Sequence, residues 1–303
     1  MIFALPHYLI HRTFFLNESV QIKHMAGESI HEHLLTIANS PLSIAVFSTF
    51  ISAFAGTWGA QLLAERTTRR KELLHEIKGV NAAISFGYNI ANSYIGAKKQ
   101  HLREIIEGYR KQCADFQAHA IGVKDGTIPP GTSFLFKVDL QTILAPFTPI
   151  EGLQKTLMDR ITPDGRALIL LTPLVQSIES FSDIVTQRNS WIAEFKNSPH
   201  DNDQYRASLY FGTPYAERRT DDRYPSLMRV LEFHTDDCIA FSILLTESLS
   251  KYGERLVARY GRSAPKINKP DFTMAGDLLP DMKQYSAWLS AQPGSSGATT
   301  GPT

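Results

Sequence analysis

The sequence has few cysteines and no surplus of either charge, and both features narrow the class of protein. Among 303 residues there are 2 cysteines, Cys113 and Cys238, too few for the disulfide framework of a small secreted domain. The 31 Lys and Arg residues nearly balance the 30 Asp and Glu residues, whereas a dedicated nucleic-acid binder usually carries a basic excess. We therefore expect reduced thiols and no nucleic-acid partner.

Sequence motifs for catalysis and cofactor binding are also missing. The chain has no Walker A loop, no GxGxxG after a strand, no HExxH pair and no kinase signature, each of which would mark a phosphate, dinucleotide or metal site. Enzymatic activity stays open. The absences favour a non-catalytic protein that needs no cofactor.

One stretch, Leu42 to Ala64, contains no charged residue and no proline. As an α-helix it would be about 35 Å long, and the hydrocarbon core of a bilayer is about 30 Å thick. Only Arg12 and Lys23 are basic among residues 1–41. Four basic residues follow the stretch closely, and we call them the basic cluster: Arg66, Arg69, Arg70 and Lys71. We interpret the stretch as a single transmembrane helix, with a buried core helix as the alternative.

The asymmetry of the basic residues predicts the orientation of this helix. Because positive residues favour the cytoplasmic side, the part after Ala64 is expected to be cytoplasmic and residues 1–41 periplasmic. The basic cluster would then contact anionic lipid headgroups. Met25 offers a second possible start of translation beside Met1; with that start, residues 1–24 would not be translated.

Small residues recur at every fourth position of the predicted span. We call this set the small-residue stripe: Ser48, Ser52, Gly56 and Ala60. Side chains of this size let two helices approach closely in lipid. The stripe predicts self-association, and so a homo-oligomer.

The remainder of the chain predicts an all-α fold. Apolar residues at helical spacing continue past the span to Phe116. Further helices are predicted over Ile150–Arg160, Arg166–Lys196, Pro225–Arg262 and, weakly, Leu279–Ala291, with a loop over 197–223. The helix from Pro225 has a near-heptad pattern typical of a coiled coil. We predict a cytoplasmic bundle of long antiparallel helices over 65–284 and a disordered tail over 285–303.

One cluster of residues could carry chemistry. His234 and Cys238 share a helix face, and Asp237 lies at its edge. With His75 from the first helix they could form a metal site, or His234 could activate Cys238 as a nucleophile. The alternative is that His234 and Arg188 are polar residues in the bundle seam that fix helix pairing.

Three segments resemble one group of proteins. They are AFAGTWGAQLLAERTTRRKELLHEIKGVNAA from Ala53, GRALILLTPLVQSIESFSDIVTQRN from Gly165 and HTDDCIAF from His234. They resemble uncharacterised bacterial single-span proteins with a helical cytoplasmic domain. The resemblance implies a bacterial inner-membrane location and brings no activity, substrate or catalytic residue.

Together these features predict a membrane-anchored, non-catalytic, helical interaction or sensor protein. Its expected partners are the lipid bilayer, further copies of itself and an unidentified cytoplasmic protein. Two alternatives are a membrane effector of a bacterial defence or toxin module, and a metal- or thiol-dependent hydrolase built on His234, Asp237 and Cys238.

Overall fold

The computed structural model describes residues 41–162, 165–198, 203–215 and 219–291. These ranges contain no named strand, and their one β-bridge joins Tyr215 and Arg219. The prediction of an all-α protein is confirmed for them. Residues 1–40 and 292–303 lie outside the description. The predicted periplasmic segment and the possible start at Met25 fall in the first of these ranges, and most of the predicted tail falls in the second.

Seven α-helices follow one another in the described ranges. They are α1 Pro41–Ala97, α2 Arg103–Lys124, α3 Ile150–Arg160, α4 Gly165–Lys196, α5 Asp203–Phe211, α6 Arg223–Tyr260 and α7 Met282–Ala291. A π-helix, Lys98–Leu102, joins α1 to α2, and a 3₁₀-helix, Thr273–Leu278, precedes α7. The sequence prediction of α3 is confirmed at both ends, and those of α4 and α6 differ from the structure only at the ends.

The chain divides into two compact units, Met1–Thr68 and Arg69–Thr303. In the first, residues 41–68 belong to α1, and every side chain described there is exposed to solvent. Hydroxyl groups in this stretch bond to the backbone of the helix itself: Ser48 and Thr49 donate to the Ala45 carbonyl at 3.0 and 2.7 Å, and Thr57 donates to that of Ala53.

The second unit is built around α6. All residues from Asp237 to Thr246 are buried, so the middle of this helix is covered on every side. The near-heptad pattern predicted only one apolar seam. Helix α4 runs along α6, and Phe181 of α4 meets Tyr94 of α1 edge to face at 5.1 Å. The core therefore lies where α1, α4 and α6 meet.

Helix α4 is long and apolar enough to cross a membrane, and it alone satisfies that test of length and composition among the described residues. Core helices of soluble domains satisfy the same test. In α4, Leu170, Leu174 and Phe181 are fully buried within the second unit. The predicted span, Leu42–Ala64, is helical throughout, but its side chains at 41–44, 46, 47, 50, 51 and 55 lie outside the description.

Two segments differ from their predicted structure. Residues 197–223 were expected to form a loop, yet α5 forms there because Tyr210 is buried and stacks on Tyr224 of α6 at 5.0 Å. For residues 285–291 the sequence predicted both a weak helix and the start of a disordered tail; the helix is the one that forms, as part of α7, whose Leu289 is buried.

Candidate ligand-binding site

The position of α7 against α6 creates the candidate site. Asp281 directly precedes this helix, and its carboxylate accepts a hydrogen bond from the Lys283 N–H at 3.1 Å, as an N-cap residue does. Leu289 is buried at the other end. Between them Tyr285 and Trp288, three residues apart, both contact the ring of Phe241 on α6.

These contacts border a cavity of about 420 Å³ between α4, α6 and α7, which we call the Asp237 cavity. Its lining residues are Pro173, Gln176, Ser177, Phe233, His234, Asp237, Phe241, Gln284, Tyr285 and Trp288. The volume falls within the range of about 300–1,000 Å³ that is usual for small-molecule sites. Neither lysine nor arginine is among the described residues that line it.

Among the described residues of this lining, Asp237 is the one carboxylate, and it is only 7% exposed. Its Oδ1 accepts a hydrogen bond from the Tyr285 hydroxyl at 2.7 Å. Its Oδ2 accepts a long one from the Ser177 hydroxyl at 3.5 Å and lies 3.8 Å from His234 Nδ1. The carboxylate is thus held by hydroxyl groups, and Oδ2 has no short hydrogen bond.

Burial also changes the pKa of the Asp237 carboxyl group and of its partner Tyr285. Removal from water raises the pKa of Asp237 above its ordinary value, and the hydrogen bond from Tyr285 and the nearby His234 partly oppose the rise. Burial raises the pKa of Tyr285 too, and its bond to Asp237 adds to the effect. A buried carboxylate without a strong cation partner is costly to ionise, so a positively charged ligand would relieve that cost.

His234 is the second ionisable group that the sequence placed here. Its Nδ1 atom is buried and has no hydrogen-bond partner in the described structure, and the distance to Asp237 is too long for a hydrogen bond. A ring nitrogen without a partner inside a cavity is a polar contact still open to a ligand.

Two of the four residues proposed for a ligand or metal do not line the Asp237 cavity. Cys238 is fully buried, and its thiol contacts the Tyr94 hydroxyl of α1. His75 is exposed on α1. No group of three potential metal ligands occurs among the described residues. The structure therefore brings His234 and Asp237 together and places Cys238 and His75 elsewhere.

The environment of Cys238 also disfavours a role as nucleophile. Burial raises the pKa of its thiol, whereas nucleophilic cysteines are thiolates with lowered pKa values. The Ser177 hydroxyl, which also lines the cavity, bonds to the carboxylate of Asp237. No assembled nucleophile and base is present in the described part of this site.

Arg188, expected in a polar seam, is fully buried in α4 away from the Asp237 cavity. Its Nη1 donates to the Gln141 carbonyl at 2.8 Å, and the guanidinium carbon lies 6.0 Å from the Tyr224 ring. The neighbouring Asn189 accepts from the Ile143 N–H at 3.2 Å and donates to the Ile143 carbonyl at 2.8 Å. These bonds hold the irregular segment 132–149 against α4.

On another side of α6 the acidic residues are paired. Asp236 bonds to Lys98 of the π-helix at 2.6 Å, and Glu232 bonds to Arg110 of α2. The adjacent residue, Asp237, differs, because no lysine or arginine of the described ranges pairs with it. Successive residues of a helix point about 100° apart, and this rotation puts the two carboxylates in different environments.

A larger cavity, about 800 Å³, lies between α4 and the start of α6. Its walls include Trp191, Tyr215 and Arg223. Arg223 bonds to Glu194 at 2.7 Å and to Asp221 at 2.9 Å. The described lining therefore holds three carboxylates and this one guanidinium, which is paired with two of them, whereas no lysine or arginine lines the described part of the Asp237 cavity.

The residues proposed for membrane contacts are all exposed. All four members of the small-residue stripe are exposed, and no described residue lies within 4 Å of a Cβ built on Gly56. The basic cluster is exposed too, and Arg70 of this cluster bonds to the Ser263 hydroxyl at 2.6 Å and lies over the Tyr260 ring.

Comparison of the chain with protein-family models, with curated proteins and with solved structures finds no match.

Sequence reasoning missed Tyr285, Trp288 and Ser177 as parts of the site. Tyr285 and Trp288 lie in the helix that was predicted only weakly, and their spacing of three was the available signal. Ser177 lies in a well-predicted helix, but nothing local distinguishes it from other serines.

Proposed function

We propose that the protein is a membrane-anchored, non-catalytic helical sensor that self-associates through the helix Leu42–Ala64. The membrane helix would hold it in a bacterial inner membrane, and the second unit would carry its ligand site on the cytoplasmic side. The observation that carries this proposal is the set of large apolar side chains exposed along the first part of α1.

These side chains are unusually exposed for their size. Phe54 is 72% exposed, Trp58 63% and Leu63 67%. Exposed apolar residues on one continuous helix mark a surface that another apolar phase covers. Hydrocarbon suits this surface because the helix is charge-free from Leu42 to Ala64.

The hydroxyl groups in the helix are compatible with lipid. A hydroxyl that lacks a partner is costly in hydrocarbon, but Ser48, Thr49 and Thr57 bond to carbonyl groups of their own helix. Such bonds satisfy the donor without water. These three hydroxyl groups therefore do not exclude a span.

The small-residue stripe supports self-association. The open space at Gly56 would admit the backbone of a second helix. Phe54 and Trp58 lie two positions to either side of Gly56, so they point about 200° away from it and would face lipid. One face is thus suited to a second copy and the opposite face to acyl chains.

The basic cluster supports the orientation. Arg66, Arg69 and Lys71 make no ion pair with an acidic side chain in the described part of the chain. Exposed cations directly after a span are suited to anionic headgroups, each contributing about 1 kcal/mol near the surface.

The test is the mass of the full chain in mild detergent, for the wild type and two single variants. Gly56→Ile places a branched side chain in the stripe and is expected to convert the oligomer to a monomer. Phe54→Ile changes the opposite face and serves as the control, with the oligomer retained. A wild-type monomer, or equal dissociation by both variants, would contradict self-association through the stripe.

A further inference from the structure

The Asp237 cavity has a charge and a shape that select one class of ligand. Among the described residues lining it, Asp237 is the one acid and His234 the one imidazole, and the other polar groups are amides, hydroxyls and an indole N–H. An anionic ligand would meet a buried carboxylate and no lysine or arginine. A neutral apolar ligand would displace water from that carboxylate without replacing the hydrogen bonds that water makes.

A metal ion is also a poor match for this cavity. His234 and Asp237 supply two potential ligands, and the described residues include no third one grouped with them. Structural zinc sites take four protein ligands and catalytic ones three. The cavity is also far larger than a single ion requires, at about 420 Å³.

The aromatic residues point instead to an organic cation. The Phe241 ring lies 5.5 Å from that of Tyr285, at 89°, and 5.4 Å from that of Trp288, at 63°. Aromatic rings grouped around a site attract ammonium groups through their electron-rich faces, and Trp does so most strongly. A fourth ring, Phe233, is 59% exposed and lines the same cavity.

The hydrogen bonds of Asp237 leave room for such a group. Oδ1 is occupied by the Tyr285 hydroxyl at 2.7 Å, whereas the best contact of Oδ2 is the Ser177 hydroxyl at 3.5 Å. Oδ2 can therefore accept a stronger, charge-assisted bond or lie against a quaternary ammonium.

We infer that the Asp237 cavity binds a small organic ammonium ion, with Asp237 as its counter-ion and the rings of Phe241, Tyr285 and Trp288 around it. This inference rests on the proposed function, since it names the class of ligand that the sensor recognises. Primary and quaternary ammonium ions share the required chemistry, and the measurement below distinguishes them.

The experiment is a calorimetric titration of the full chain in detergent at constant ionic strength. The probes are choline, butylammonium and dimethylbutanol, which is the uncharged carbon analogue of choline. Saturable binding of choline or butylammonium, without binding of dimethylbutanol, is expected; whichever cation binds more tightly identifies the type of ammonium. Equal binding of dimethylbutanol, or no saturable binding of either cation, would overturn the inference.

Two adjacent carboxylates provide matched variants. Asp237→Asn keeps the shape and removes the charge, so it should weaken binding of the cation about tenfold or more. Asp236→Asn removes a charge that is already paired with Lys98, so binding should stay within about twofold of wild type. Wild-type affinity in Asp237→Asn, or an equal loss in both variants, would overturn the assignment.

A further variant covers the case in which Asp237→Asn does not fold. Gln284 lines the cavity but is exposed, so Gln284→Lys should fold and abolish binding by placing a tethered cation there. Retained binding would count against the site. Failure of these titrations would leave the membrane association and detergent mass of the protein unchanged, so it is distinguishable from failure of the proposed function.

Discussion

The Tyr285 hydroxyl donates a hydrogen bond to Asp237 Oδ1 at 2.7 Å, and this bond joins the last described helix to the central one. It orients the carboxylate and fixes an aromatic ring beside it. Asp237 therefore has two roles: it accepts a hydrogen bond that holds two helices together, and it is the only carboxylate among the described residues of the cavity wall.

Asp237→Asn is expected to stabilise the protein at neutral pH. Burial raises the pKa of Asp237 in the folded state above 3.8. The wild type is therefore most stable below the pKa of the unfolded state, and it loses stability as the pH rises through the higher pKa of the folded state. The groups that act on the carboxylate are Tyr285, His234, Ser177 and Asp236. Asparagine removes the cost of burying the charge and still accepts from Tyr285.

The measurement is thermal unfolding of both proteins across pH. At pH 7 the melting temperature of Asp237→Asn should exceed that of the wild type by about 2–4 °C, the shift that about 1 kcal/mol produces in a domain of this size. The difference should vanish near pH 3, where both side chains are neutral. A difference that does not depend on pH would show that ionisation of Asp237 is not involved.

Asn189→Ala is expected to release the segment 132–149 from α4. The Asn189 side chain bonds to both the N–H and the carbonyl of Ile143, and loss of both bonds should cost about 1–2 kcal/mol of unfolding free energy. Chemical denaturation measures the loss, and limited proteolysis within 132–149 should become faster. Asn92→Ala, at an exposed position of α1, is the control; equal proteolysis of the two variants would contradict this role.

Two glycines of α1 should respond oppositely to alanine. A Cβ at Gly87 would lie 2.6 Å from Thr246 Cγ2 of α6, whereas nothing lies within 4 Å of one at Gly96. Gly87→Ala should therefore destabilise by about 1–3 kcal/mol, and Gly96→Ala should stabilise by about 0.5–1 kcal/mol. Thermal unfolding in one detergent compares them, and a stabilised Gly87→Ala would show that the two helices are not closely packed there.

Helix positions could be predicted where the pattern is local. Pro149 and the turn after Arg160 bound α3, and the apolar period defines α4 and α6. Helix α5 was missed because its segment is polar, and its stability comes from the distant contact between Tyr210 and Tyr224. Burial of α6 on every side was missed because it also depends on distant contacts. The sequence pattern of one helix does not show how many other helices surround it.

The sequence predicted the α6 side of the candidate site and missed the α7 side. The spacing of three correctly paired His234 with Asp237, but Cys238 lies toward Tyr94 and is separated from Asp237 by the turn of the helix. The other wall of the cavity comes from α7, 48 positions away in sequence at Tyr285. A contact at that separation leaves no periodic trace in the sequence.

The most direct test of the central proposal is fractionation of cells that express the full chain. We predict that the protein sediments with inner membranes, stays there after an alkaline carbonate wash and is released only by detergent, because Leu42–Ala64 spans the bilayer. Recovery in the soluble fraction before detergent is added would contradict the account. It would make the exposed apolar side chains of α1 a protein-binding surface instead.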